Sequence, residues 1–185
     1  MTTRTPTPPN ESAARQDGAT AFIGLGANLG DARATLRDAL SALQALAVPG
    51  SFEASSLYCS APVDSSGPDY VNAVARLRTA LAPHALLDAL QAIEQRFGRV
   101  RPYHNAPRTL DLDVLLYGVD GDAGGLTLAD DRLTLPHPRA AQRSFVLAPL
   151  AELWPRGEIP GAGRVADLLA QTSADPGQRV ERQVG

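Results

Sequence analysis

The stretch Arg108-Thr109-Leu110-Asp111-Leu112-Asp113-Val114-Leu115-Leu116-Tyr117 decides how the rest of the chain is read. It is rich in Leu and Val and has the length of a buried strand. In a strand, residues two apart share a face. Leu110, Leu112 and Val114 therefore point one way, and Asp111 and Asp113 point the other. Two carboxylates side by side on an otherwise apolar strand repel each other, and their desolvation is costly. Something cationic must compensate. Arginines could do so in a salt-bridge network. Magnesium could also do so, because it takes one or two carboxylates and fills its other positions with water and phosphate oxygens. Arg99, Arg101 and Arg108 flank the pair in the preceding loop, more positive charge than two carboxylates require. Acids, a metal and several guanidiniums are the equipment of phosphoryl transfer, where positioning and charge neutralisation supply most of the catalysis.

Working back from this strand, Leu86, Leu87, Leu90, Ile93 and Phe97 form a helical stripe that Pro83 can open and Gly98 can close. Before it, Val71, Ala73, Ala75 and Leu77 alternate with Tyr70, Asn72 and Val74, as in a strand. Ser51 to Tyr58 can be another strand. Leu36, Leu40, Leu43 and Leu46 mark an earlier helix, with Asn28 or Asp31 as its N-cap and Pro49-Gly50 after it. Ala21 to Gly26 is a short apolar run that fits a first, buried strand. The order strand, helix, strand, strand, helix, strand is the βαββαβ pattern of an α+β, ferredoxin-like fold, an antiparallel sheet with helices on one face. A C-terminal extension follows. It holds a hairpin of Leu126–Leu128 with Arg132–Leu135 and two short helices near Phe145–Leu153 and Val165–Gln171. The expected organisation is a disordered leader over 1–19, a folded domain over 20–173 and a flexible tail over 174–185.

Composition narrows the function. The formal charge is -3 with a pI near 5.6, and aromatics are 5% of the chain. A nucleic-acid binder normally shows a basic face, and an RNA-binding sheet also needs exposed aromatics, so neither partner is expected. All 17 basic residues are arginine. A phosphate-loop lysine, a Schiff-base lysine and a lysine general base are thereby excluded. The single cysteine, Cys59, permits no intrachain disulfide. No apolar run approaches the roughly 20 residues of a membrane span. A cytoplasmic protein without a membrane or obligate protein partner is the expectation.

Gly24-Leu25-Gly26-Ala27-Asn28-Leu29-Gly30 superficially resembles a dinucleotide fingerprint, but the third glycine comes one residue late. Phe22, Gly24 and Gly26 share a face of the first strand, which this fold places between the third and fourth. The glycines either permit close packing or leave a trough for a flat heterocycle, between Tyr70 and Asn72 on one side and Asp111 and Asp113 on the other. Gln91 and Glu94 read as neighbours on the solvated face of their helix. His137 reads as packed into the rigid turn Leu135-Pro136-His137-Pro138, with Arg143 and Phe145 beyond it as a cation and an aromatic lid.

Gly26-Ala27-Asn28, Tyr58-Cys59-Ser60-Ala61-Pro62, Asp69-Tyr70-Val71-Asn72, Gln91-Ala92-Ile93-Glu94, Gly98-Arg99-Val100-Arg101, Pro107-Arg108-Thr109-Leu110-Asp111-Leu112-Asp113 and Leu135-Pro136-His137 follow one another in a single order. This set resembles the hydroxymethyl-dihydropterin pyrophosphokinases of folate biosynthesis, from about Ala21 to Leu153. The resemblance implies a ferredoxin-like fold whose loops close over ATP and a pterin. It implies pyrophosphate transfer from ATP to the pterin's hydroxymethyl group, with AMP leaving. Asp111 and Asp113 would hold two magnesium ions and, with Arg99 and Arg108, form the catalytic group. Gln91, Glu94, Arg101, Arg132, Thr134, His137 and Arg143 match positions around ATP. Ser60 and Val63 would contact the pterin through their backbone, Asn72 would bond its edge, and Tyr70 and Phe145 would sandwich its ring. Asn105 stands where many relatives carry a tryptophan, and Ala61 where many carry a proline. These departures bear on loop closure and affinity rather than on the reaction.

Overall fold

The computed structural model describes residues 18–62, 67–98, 109–122 and 124–183. Strand β1 (Ala19–Ala27) leads into helix α1 (Ala32–Gln44). Of the two candidate caps, Asp31 performs the role: its side chain accepts from the backbone N–H of Ala34 at 2.9 Å. Leu36, Ala39 and Leu43 are the buried stripe of α1. The stretch expected as one strand over 51–58 is split into β2 (Glu53–Ala54) and β3 (Tyr58–Ser60). The break falls beside Ser55, whose hydroxyl takes the place of a backbone partner and accepts from the N–H of Val74 at 3.0 Å. Strand β4 (Tyr70–Thr79) and helix α2 (Pro83–Arg96) follow. Gly98 adopts the left-handed φ of +76° just past α2, as its place after the apolar stripe predicts. Strand β5 (Asp111–Tyr117) completes the βαββαβ unit.

The strands pair antiparallel in the order β3-β4-β1-β5, with β1 in the middle as expected. One face of this sheet carries Ile23, Leu25, Ala73, Ala75, Leu77, Leu112 and Val114, packed against Leu36 and Leu43 of α1 and Leu86 and Leu90 of α2. This is the ferredoxin-like α+β architecture.

The extension begins with the predicted hairpin, β6 (Leu128–Ala129) and β7 (Thr134–Leu135). Its turn is closed by the Asp130 side chain, which accepts from the N–H groups of Arg132 and Leu133, both at 2.9 Å. Helix α3 (Ser144–Leu153), the small hairpin of β8 (Glu158–Ile159) and β9 (Gly163–Arg164), and helix α4 (Val165–Ser173) follow. Helix α3 does not join α1 and α2. Its Val146, Leu147 and Leu150 pack with Phe22, Val74 and Leu115 on the opposite face, where Trp154 stacks on Phe22 at 5.2 Å between ring centroids. The segment expected as a loose tail carries strand β10 (Val180–Arg182), which pairs antiparallel with β3 and extends the sheet. Polar, arginine-bearing composition suggests a solvated end, but an unpaired sheet edge offers backbone partners to any extended segment. Among the described residues, no helix is long and apolar enough to cross a membrane.

Candidate active site

The face covered by α3 is covered only in part. In the register of the sheet, Asp111, Gly26, Asn72 and Tyr58 form one row across four strands, and Asp113, Gly24 and Val74 form the next. Adjacent strands lie about 4.8 Å apart, so Asn72 and Asp111 stand roughly 10 Å from each other with glycine between them. Asp111 and Asp113 lie on this face, half-buried, while Leu112 and Val114 are buried on the other. That is the division the alternation predicts.

The two glycines do different things. A Cβ on Gly24 would come within 3.2 Å of a Leu115 methyl group, so this glycine allows close packing. A Cβ on Gly26 would meet the Asn72 side-chain oxygen at 3.4 Å and the Tyr70 ring at 4.0 Å. At Gly26 the bare backbone leaves a shallow gap beside Asn72 and Tyr70. Asn72 is buried beside it. Its amide donates to the Ser60 hydroxyl at 2.9 Å and lies 3.5 Å from the Tyr58 carbonyl oxygen. With Nδ2 held by β3, Oδ1 is presented over Gly26. The partner of Ser60 in the row beyond is Tyr70, half-buried at the start of β4.

His137 is not merely packed into its turn. Its backbone N–H donates to the Leu115 carbonyl at 2.9 Å, which anchors the turn to β5 beside the two aspartates. Burial pushes the imidazole pKa below its ordinary value; the Asp113 and Asp111 charges oppose this, and Arg143 and Arg139 reinforce it. Its Nδ1 accepts from the N–H of Arg139 at 3.2 Å, so the neutral ring carries its proton on Nε2. The Arg143 guanidinium lies over the Phe145 ring, 5.3 Å from its centroid, at the start of α3.

Other expected residues lie differently. Glu94 is buried, not solvated: its Oε1 accepts from the N–H of Leu112 at 2.9 Å. It sits four residues after Leu90, on the apolar stripe of α2, and that spacing is the signal that could have revealed it. Gln91 is exposed on the same helix. Arg132 is exposed and pairs with Asp88, and Thr134 is exposed on β7. Val63, Arg99, Arg101 and Arg108 lie outside the described residues, as do Asn105 and most of the expected leader.

The described residues offer no cluster of three side chains that could enclose a metal. Two carboxylates on a half-open face nonetheless fit magnesium, which dehydrates reluctantly and keeps most of its positions for water and phosphate.

Residues 22–155 match the family model described as 7,8-dihydro-6-hydroxymethylpterin-pyrophosphokinase (HPPK). The 2-amino-4-hydroxy-6-hydroxymethyldihydropteridine pyrophosphokinase of Pseudomonas aeruginosa is 42% identical over 165 residues, 89% of this chain and 96% of that protein. The enzyme of the same name from Haemophilus influenzae is 41% identical over 82% of this chain and 92% of its own length. The mitochondrial folate synthesis bifunctional protein of Arabidopsis thaliana is 39% identical over 71% of this chain, which spans only 23% of that protein. Among solved structures, the wild-type Plasmodium falciparum HPPK-DHPS with STZ-DHP superposes with a TM-score of 0.66 at 13% identity. That match covers 89% of this chain and 46% of the other, and it shows the shared fold. The family model and these relatives agree: this chain belongs to the 7,8-dihydro-6-hydroxymethylpterin-pyrophosphokinase family.

Proposed function

We infer that this chain transfers the pyrophosphoryl group of ATP to the hydroxymethyl group of 6-hydroxymethyl-7,8-dihydropterin, a step of folate synthesis, with magnesium as cofactor and AMP as co-product. The observation that carries this reading is the row Asp111–Gly26–Asn72, a pair of acids and an oriented amide on either side of a position without a side chain. Asp111 and Asp113 would hold magnesium, two ions in the full reading. Bound there, the metal neutralises phosphate oxygens. Asn72 Oδ1 receives an N–H of the pterin edge, and Ser60 keeps that amide from turning. The Tyr70 and Phe145 rings bound the slot and exclude water from it, and Val63 adds a backbone contact. His137, neutral, donates from Nε2 to a phosphate oxygen, and Arg143 contributes charge beside it. Arg99, Arg101 and Arg108, which precede Asp111 in the sequence, would supply the remaining positive charge, with Arg99 and Arg108 serving the transfer step. Gln91, Glu94, Arg132 and Thr134 surround the nucleotide, Glu94 by holding β5 at Leu112. The substrates are small molecules, and the cytoplasm is where they would be met.

The test is direct. The protein is mixed with ATP, magnesium and the hydroxymethyl-dihydropterin, and the nucleotide product is separated by chromatography. AMP formed one for one with pterin pyrophosphate supports the reading; ADP, or no pterin-dependent turnover, defeats it.

A further inference from the structure

The segment after α4 reaches both the start of α3 and strand β3. At its start, the Gln178 side chain accepts from the N–H of Ser144 at 3.0 Å and donates to the Gln142 carbonyl at 2.9 Å. These are the first turn of α3 and the residue before Arg143. Helix α3 has no side-chain cap from its own N-cap residue, Arg143, so Gln178 satisfies one of its otherwise orphaned N–H groups from 34 residues away. Two residues later the same segment becomes β10, with Val180 opposite Ser60 and Arg182 opposite Tyr58. Beyond it, the N–H of Gln183 donates to the Leu57 carbonyl at 2.8 Å.

The far end is tied as firmly. Arg182 donates to the Ser56 hydroxyl at 2.9 Å and to a Glu152 oxygen at 3.2 Å. Glu152, near the end of α3, also accepts from the Tyr58 hydroxyl at 2.8 Å and the Ser56 N–H at 3.1 Å. Residues 178–183 thus join the start of α3, which presents Arg143 and Phe145, to the strand that presents Ser60.

We propose that this C-terminal segment is a clasp that sets the width of the pterin slot, with Gln178 as a positioning residue that touches no substrate. The proposal rests on the reading of Asn72, Ser60 and Phe145 as pterin contacts. The physical reason is that Glu152 ties only the far end of α3 to Ser56 and Tyr58 directly, whereas Gln178 and β10 link the near end, at Ser144, to β3 through one short hydrogen-bonded span. Nothing in the reaction requires the segment. Its effect belongs in affinity for the ring, not in the transfer step.

The experiment measures pterin affinity by calorimetry at 25 °C without nucleotide, together with the melting temperature and kcat at saturating pterin. Gln178→Ala removes both bonds, and the loosened slot should raise the pterin Kd about fivefold; kcat should stay within about twofold. Gln178→Glu keeps the acceptor for Ser144 and should restore most of the affinity. Arg182→Glu sets a carboxylate against Glu152 at the other end of the clasp and should weaken the ring by a similar factor. An unchanged pterin Kd in both Gln178→Ala and Arg182→Glu, with or without a lower melting temperature, overturns the proposal. So does a Gln178→Glu protein no better than Gln178→Ala. Asn72→Ala separates the two ideas: if it too leaves pterin affinity untouched, the pterin reading fails with the clasp, and if it alone weakens binding, only the clasp fails.

Discussion

Two halves of one sheet face, built from the same three strands, have opposite contents. The half under α3 carries Phe22, Val74 and Leu115, closed over by Leu147, Leu150 and Trp154. The other half carries Gly26, Asn72, Asp111 and Asp113, and none of these presents an apolar side chain to a covering helix. The change happens within one or two residues along each strand, at Gly24, where the Leu115 side chain ends. The first half adds to the free energy supplied by the core against α1 and α2 on the other face. The second half spends some of it, by keeping carboxylates and an amide close to an apolar interior. The proposed site is the region of this face where the core stops.

This contrast can be broken at several points. The largest expected effect is on the open half. Asp113→Ala should lower kcat about a thousandfold or more, roughly 4 kcal/mol of barrier, while the melting temperature holds or rises as the repulsion between the two carboxylates is relieved. Activity within about tenfold of wild type would remove the metal role from this acid. Trp154→Ala should do the reverse. Loss of a buried ring stacked on Phe22 should cost about 3–5 kcal/mol in urea unfolding, with kcat per folded molecule nearly unchanged.

The boundary is sharpened by the two glycines. Gly24→Ala forces a methyl group against buried Leu115 at 3.2 Å, and overpacking of this kind should cost about 1–3 kcal/mol of stability. Gly26→Ala should leave stability within about 0.5 kcal/mol, because its new neighbour at 3.4 Å is the Asn72 side-chain oxygen, yet it should weaken pterin binding by narrowing the trough. If both variants lose stability and neither loses affinity, the trough at Gly26 does not exist as described.

The smallest effect concerns Tyr58, in the same register row as Asn72. Burial, then the hydrogen bond to Glu152 and that carboxylate's charge, push its hydroxyl pKa up from the ordinary 10.0 to about 12. Between those values the folded protein holds a proton that the unfolded chain has released. Stability from this group is therefore complete below pH 10 and declines as the pH rises toward 12. In chemical denaturation across that range, Tyr58→Phe should show a shallower decline than wild type. Parallel curves would mean that the hydroxyl titrates as it does in water.

Much of the fold was legible because it follows local rules. Alternation in 70–77 and 110–117 separated Asn72, Asp111 and Asp113 from the core side. Pro83 and Gly98 bracketed α2, and the Asp130 turn was marked by its residue types. What escaped was each case in which a polar group is satisfied by a partner distant in sequence. Glu94 looked solvated because a carboxylate usually is, and its partner, the Leu112 N–H, exists only once β5 forms a sheet edge beside α2. Strand β10 looked like a tail because its pairing with β3 spans more than 100 residues and leaves no periodic trace in so short a segment. The anchor of the His137 turn escaped as well, because its backbone partner, the Leu115 carbonyl, is known only once β5 is in place.

The order of residues alone determined the helices and strands of the βαββαβ unit, their order in the sheet and the face on which the acids stand, since strand and helix periods are properties of the backbone. It also carried the family's motif set. Tertiary structure decided that α3 covers half of the acid-bearing face, that Gly24 lies against Leu115 and Gly26 beside the Asn72 oxygen, and that the last strand closes on β3. Those outcomes depend on which surfaces meet and how far apart they come to rest, and a linear pattern does not encode a distance.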